Sequence, residues 1–162
     1  MEQEFTKLVR ENEQILIKVC NVYCRETEDR EDLYQDILIQ LWKSFPKFNH
    51  RAKVSTWIYR VALNTAISRY RKVKRLPTKE SITEHLVMHH LDSNNTKKEA
   101  VSSLHTAIES LTKVEKAIIT LYLEELKYQE IAEIIGISVS NVGFKINKIK
   151  NKLRDKLKEK EL

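Results

Sequence analysis

Between Asn49 and Arg75 the chain carries eight basic side chains and no acidic one, interleaved with His50, Trp57, Tyr59 and Tyr70. Cations can hold phosphates, and exposed aromatic faces beside them can stack on unpaired bases. His50, Arg51, Lys53, Trp57, Arg60, Arg69, Arg71 and Lys72 are therefore candidates for contact with a nucleic-acid strand. Trp57 also reads as a core residue, and an aromatic can pack its body while presenting an edge. A second basic block, residues 137–162, holds eight basic and three acidic side chains. Residues 1–48 and 105–136 are each acidic by three charges. Two basic blocks, each following an acidic-to-neutral stretch, suggest two separate contacts with a polyanion.

The second block begins at the sharpest local pattern in the chain. Tyr128 to Ile135 is followed by Gly136-Ile137, then Ser138-Val139-Ser140-Asn141-Val142 and a basic run. A helix-turn-helix needs a small residue where its helices cross, which Ala132 supplies, and a turn residue tolerant of positive φ, which Gly136 supplies. Val142, Ile146 and Ile149 give the second helix an inward stripe. Ser140, Asn141, Phe144, Lys145 and Lys148 remain outside, residue types suited to phosphate and base-edge contacts in a major groove. A plain helical hairpin with a solvated lysine face is the competing reading.

A third constellation lies at Glu31 to Trp42. Asp32, Gln35, Asp36 and Gln40 fall on adjoining turns above an apolar stripe. Such a ridge would suit a basic partner helix; on pattern alone it would equally be a solvated face. Carboxylates this numerous raise the idea of a metal-dependent nuclease. Yet His50, His85, His89, His90 and His105 form no ligand spacing with them, and no glycine-rich phosphate loop is present. No catalytic residue, metal or cofactor is expected. Cys20 and Cys24 read as small buried residues in a reducing compartment rather than as a metal or redox pair.

The elements that must position these groups are helical. Two glycines and two prolines leave little material for hairpins. Apolar periodicity predicts one helix from Phe5 to Cys24, a second from about Thr27 to Phe45 stopped by Pro46, and a third from an N-cap at Ser55 to Arg75. In the third, Arg60, Asn64, Arg69, Arg71 and Lys72 face outward. The rhythm fades beyond Pro77, where Met88 to Thr96 reads as linker, and resumes at Leu104. The expectation is an all-α chain of two small helical domains, residues 1–76 and 104–162, joined by a linker at 77–103. A basic secretory start is lacking, as is any apolar run near the roughly 18 residues of a membrane span. A cytoplasmic protein without membrane insertion is expected.

These residues resemble a family. Glu31-Asp32-Leu33-Tyr34-Gln35-Asp36, with Leu41-Trp42 and Phe45-Pro46-Lys47-Phe48, resembles the polymerase-binding segment in region two of extracytoplasmic-function (ECF) sigma factors of the sigma-70 family. Ser55-Thr56-Trp57-Ile58-Tyr59-Arg60-Val61-Ala62, with Asn64, is similar to their promoter-melting helix. Ile108 and Leu111, then Leu126, Tyr128 and Glu130-Ile131-Ala132, resemble region four. The resemblance implies a sigma factor that binds core RNA polymerase and directs initiation at minus-ten and minus-thirty-five elements. Asp32, Leu33, Gln35, Asp36 and Gln40 would bind polymerase. Asn49, His50, Arg51, Lys53, Trp57, Arg60, Asn64, Arg71 and Lys72 would meet the opening minus-ten element, the loop Phe48 to Val54 capturing a base of the unpaired non-template strand. Ser138, Ser140, Asn141, Phe144, Lys145 and Lys148 would read duplex promoter DNA at minus thirty-five. The family implies an anti-sigma factor as a further partner. Gly143-Phe144-Lys145 departs from the family's usual Lys-Ser-Arg run, so Phe144 either meets thymine methyls or packs. The alternative, a stand-alone helix-turn-helix regulator, leaves the acidic ridge and the Trp57 block without a purpose.

Overall fold

The computed structural model describes the backbone of residues 1–75 and 95–161, and the side chains there apart from 70–75, 95–97 and 160–161. Among the described residues there are eight α-helices, one 3₁₀ turn and no strand, as the scarcity of turn residues requires. The helix expected from Phe5 to Cys24 is two, α1 (Glu2–Glu11) and α2 (Glu13–Tyr23). At Asn12 the backbone leaves the helical region (φ −119°, ψ 15°), and its side-chain amide donates to the Leu8 carbonyl at 2.9 Å. Asparagine competes with the helix ladder in this way.

Helix α3 (Thr27–Ser44) opens with Glu28 and Asp29, which favour the positive end of the helix dipole. Pro46 then sits inside a 3₁₀ turn, Phe45–Lys47, that closes the helix. Helix α4 (Val54–Arg75) starts one residue before Ser55, so Ser55 belongs to the first turn and is not the cap that the sequence suggests. Helices α2, α3 and α4 pack together over Leu16, Val19, Leu33, Ile37, Leu41, Ile58 and Ala62, none more than 1% exposed. Cys20 is in this core, and burial pushes its thiol up to about 12. Cys24, also expected inside, is only half-buried; both thiols are free.

The second unit begins earlier than the pattern suggests. Helix α5 (Asn95–Glu109) takes in residues 95–103, read from sequence as linker; the rest of that stretch lies outside the described residues. At Thr112 the hydroxyl accepts from the Glu115 amide at 3.3 Å and starts α6 (Lys113–Leu123), the usual service of a threonine N-cap. Helix α7 (Tyr128–Ile135) is started by Glu130, whose carboxylate accepts from the Lys127 amide at 3.0 Å, one half of a capping box. It ends at Gly136, and α8 (Val139–Glu161) follows.

Gly136 has φ +83°, and nothing lies within 4 Å of where a Cβ would stand. The cost of a side chain there is therefore backbone strain alone. Gly136→Ala should destabilise the fold by about 1–2 kcal/mol in urea denaturation. Gly136→Asn should lose clearly less, because asparagine tolerates the left-handed region.

The two units touch along α4, which packs on α2 and α3 on one side and on α6 and α7 on the other. Thr56, Trp57, Ile58 and Tyr59 are in consequence buried in succession. No helix among the described residues is long and apolar enough to cross a membrane.

Candidate nucleic-acid interface

The loop between the 3₁₀ turn and α4 is built on aromatic stacking. Phe48 lies on the Trp57 indole with ring centroids 4.5 Å apart and planes 19° from parallel. The His50 ring sits 4.5 Å from Phe48 on a backbone at φ 58°. Histidine adopts that left-handed conformation more readily than most residues. Asn49 accepts from the Arg51 amide at 3.1 Å, a local turn that fixes the loop. Asn49, His50, Arg51 and Lys53 are exposed, as is Asn64 one turn beyond Arg60. Trp57 itself is 8% exposed, so it supports the loop from beneath and presents little more than an edge.

Two members of the sequence-derived set are placed differently. Tyr59, grouped with the stacking aromatics, is 5% exposed because α4 is covered on both sides; burial pushes its phenol up to about 12. Arg69, expected to face outward, turns in and bonds Asp36 at 2.8 Å, with Asp32 3.5 Å away. The side chains of Tyr70, Arg71 and Lys72 lie outside those described.

Below the Phe48–Trp57 pair is an open cleft of about 350 Å³, lined by Phe48, Asn49, Arg51, Trp57, Arg60 and Glu133 among others. Glu133 brings the second unit to the cleft, and a further contact joins the units nearby. The Arg60 guanidinium donates to the Glu133 carbonyl at 2.7 Å, and the Lys53 ammonium meets Glu130 at 3.0 Å. The Lys53 hydrogen bond, helped by the Lys127 amide, holds the Glu130 carboxyl below the usual range.

On α3, Asp32, Gln35 and Gln40 are exposed and Asp36 is half-buried, forming the ridge expected. Leu33, grouped with them, faces the opposite way at 1% exposure and is core beneath the ridge, so its side chain offers no surface to a partner. Ile39 and Trp42 add an apolar margin at 49% and 40% exposure. Trp42 meets Phe5 edge-on at the surface. Sequence reasoning misses Ile39; its place one turn after Gln35 is the available signal.

In the helix-turn-helix, Ala132 is buried in α7, and Val142, Ile146 and Ile149 form the inward stripe of α8. The Ser138 hydroxyl accepts from the Asn141 amide at 3.2 Å and so caps α8. Ser140, Asn141 and Lys148 are exposed and Lys145 is half-buried. Phe144 is 67% exposed, which removes packing as its role. Gly143 lies under Tyr128, whose ring would stand 3.5 Å from a Cβ there. Among the described residues no three His, Cys, Asp or Glu side chains gather as a metal site.

A helical unit carrying an acidic ridge and a basic, aromatic-backed loop, followed by a helix-turn-helix unit, has the layout of a transcription initiation factor. Residues 8–76 match the family model of Sigma-70 region 2, and residues 102–153 match that of Sigma-70, region 4. The chain is 30% identical over 131 residues to the RNA polymerase sigma factor SigZ of Bacillus subtilis (strain 168), covering 78% of this chain and 72% of that protein. It is 29% identical over 156 residues to the ECF RNA polymerase sigma factor SigW of the same organism, covering 89% and 83%. Its fold is that of CnrH, solved in complex with the cytosolic domain of CnrY (TM-score 0.70, 18% identity, 98% of this chain and 90% of that one). It is likewise that of the sigma factor RpoE, solved with the anti-sigma factor NepR from Bartonella quintana (TM-score 0.66, 21% identity, 97% and 96%). The chain belongs to the ECF sigma factors of the sigma-70 family. It is a non-enzymatic factor that binds RNA polymerase and DNA and directs promoter-specific initiation of transcription.

Proposed function

We propose that the work is divided among three surfaces. The α3 ridge of Asp32, Gln35, Asp36 and Gln40, widened by Ile39 and Trp42, docks on core polymerase. The loop from Phe48 to Val54, with Arg60 and Asn64, holds the unpaired non-template strand of the minus-ten element. The outer face of α8, Ser140, Asn141, Phe144, Lys145 and Lys148, reads the minus-thirty-five duplex. Ser138 contributes by capping that helix, and Trp57 by holding the loop. Phe144 supplies an apolar face for thymine methyl groups, an environment that would explain a phenylalanine left exposed on a basic helix. Working with polymerase places the chain in the cytoplasm. An anti-sigma factor is its natural regulator, as the solved RpoE carries one.

The observation that carries this reading is the separation of two cationic surfaces, one on each unit and on different helices. The test is a double dissociation. Lys145→Ala should weaken binding to promoter duplex and reduce the slope of affinity against salt by about one counterion, with little effect on single strands. Arg60→Ala should weaken single-strand binding and leave duplex binding nearly unchanged. Equal effects of both variants on both probes would remove the division of labour.

A further inference from the structure

Helix α8 turns Val142, Ile146, Ile149 and Leu153 to the core. On a helix of 3.6 residues per turn the line opposite that stripe runs through Phe144, Lys148 and Asn151, with Asn147 beside it. All four are exposed, and their side chains make no hydrogen bond, ion pair or ring contact with the rest of the described chain. Cations on the flanks of the same helix are engaged instead. Lys150 lies over the Tyr122 ring at 4.5 Å, and Lys152 meets Glu115 at 2.6 Å. Asparagine fills an exposed helix interior less well than lysine or glutamate. Asn147 and Asn151 sit well inside α8, neither buried nor capping an end, so the fold gives no account of them.

The spacing of the four residues, i, i+3, i+4 and i+7, is the one by which a helix lying along the major groove sets side chains against base edges. Phe144 to Asn151 covers about 10 Å, or roughly three base-pair steps of about 3.4 Å. We propose that Asn147 and Asn151 are base-reading residues, each making paired hydrogen bonds to N6 and N7 of an adenine. With Phe144 on a thymine methyl group, they specify a minus-thirty-five element dominated by A·T pairs. This rests on the reading of the outer α8 face as the duplex reader. The asparagine amide offers an acceptor for N6–H and a donor for N7, the combination that adenine presents in the major groove. Arginine, a common reader of guanine, is absent from α8 before Arg154. Lys148 can serve one guanine, so the element is rich in A·T pairs and not free of G·C. Asp155, one turn beyond Asn151, sets an exposed carboxylate on the same line and bounds the read face against a polyanion.

The test uses RNA polymerase carrying the full chain, on a promoter recovered by run-off transcription and randomised across its minus-thirty-five region. Sequencing of bound fragments should show at least three A·T positions within about four base pairs. Asn147→Ala and Asn151→Ala should each lower discrimination about fivefold or more at one adenine, a different one for each, and leave the other positions unchanged. Asn151→Gln, which presents the same pair of groups, should keep part of the preference. 7-Deazaadenine, which lacks the N7 acceptor, should weaken wild-type binding at the position that Asn151→Ala relaxes and cost that variant nothing further. Unchanged preferences in either alanine variant, or a G·C pair selected at the position either one relaxes, would overturn the proposal. If Phe144→Ala still relaxes one position in that case, the outer face remains the duplex reader. If Phe144→Ala and Lys145→Ala are also without effect, that reading falls as well.

Discussion

Trp57→Ala should destabilise the first unit by about 3–5 kcal/mol and abolish strand binding by a loop whose own residues are unchanged. The indole is 8% exposed, stacks on Phe48 and lies 6.3 Å from the Phe45 ring. Its removal opens a cavity that α4 cannot close by itself. Phe48 loses its platform, and His50, held against Phe48 at positive φ, loses the packing that imposes that conformation. Urea denaturation followed by circular dichroism measures the first effect; anisotropy with a single-stranded probe measures the second. Trp57→Phe should retain most of the stacking and at least half of the stability difference. If Trp57→Ala proves stable and binds normally, the loop is not built on this side chain.

Asp32→Lys combined with Asp36→Lys should weaken binding to core polymerase at least tenfold, about 1.4 kcal/mol or more. The structure adds a complication, because both carboxylates also face Arg69. That pair is partly exposed and worth no more than about 1 kcal/mol to the fold, so the helix should survive the reversal. Arg69→Met separates the two roles. It removes the internal partner while leaving the ridge acidic, and should therefore keep polymerase affinity within about twofold at a similar loss of stability. Equal losses of affinity in both variants would mean that Arg69 and the carboxylates act as a structural unit and not as a docking surface.

What the sequence discloses and what it withholds divide along a physical line. Gly136, Ala132 and the Val142–Ile146–Ile149 stripe are readable because a left-handed turn and a helical period are local properties. The all-helical class follows from the shortage of turn residues. The break at Asn12 is not readable, since Leu8 and Val9 continue the apolar rhythm up to it and only the side-chain bond to Leu8 shows the competition. Tyr59 looks like a stacking aromatic because a single-stripe reading assumes that a helix has one covered face. Helix α4 has two, the second supplied by α6 and α7 from far along the chain. The same distance hides the Arg69–Asp36 pair, 33 residues apart, and the Lys53–Glu130 pair, 77 apart. Charge blocks are visible, but that acids of residues 105–136 meet Lys18 and Arg25 of the net-acidic first stretch as well as Lys53 needs the packing.

Run-off transcription by core RNA polymerase on a library of genomic fragments, with and without this chain, tests the assignment most directly. The expected result is a set of discrete starts that require the chain and share a two-part upstream motif at minus ten and minus thirty-five. Discrete starts should be strongly reduced with Asp32→Lys/Asp36→Lys and weakened with Lys145→Ala. No starts beyond those of core enzyme alone, with duplex binding by the chain intact, would contradict it and return the molecule to a regulator that acts without polymerase.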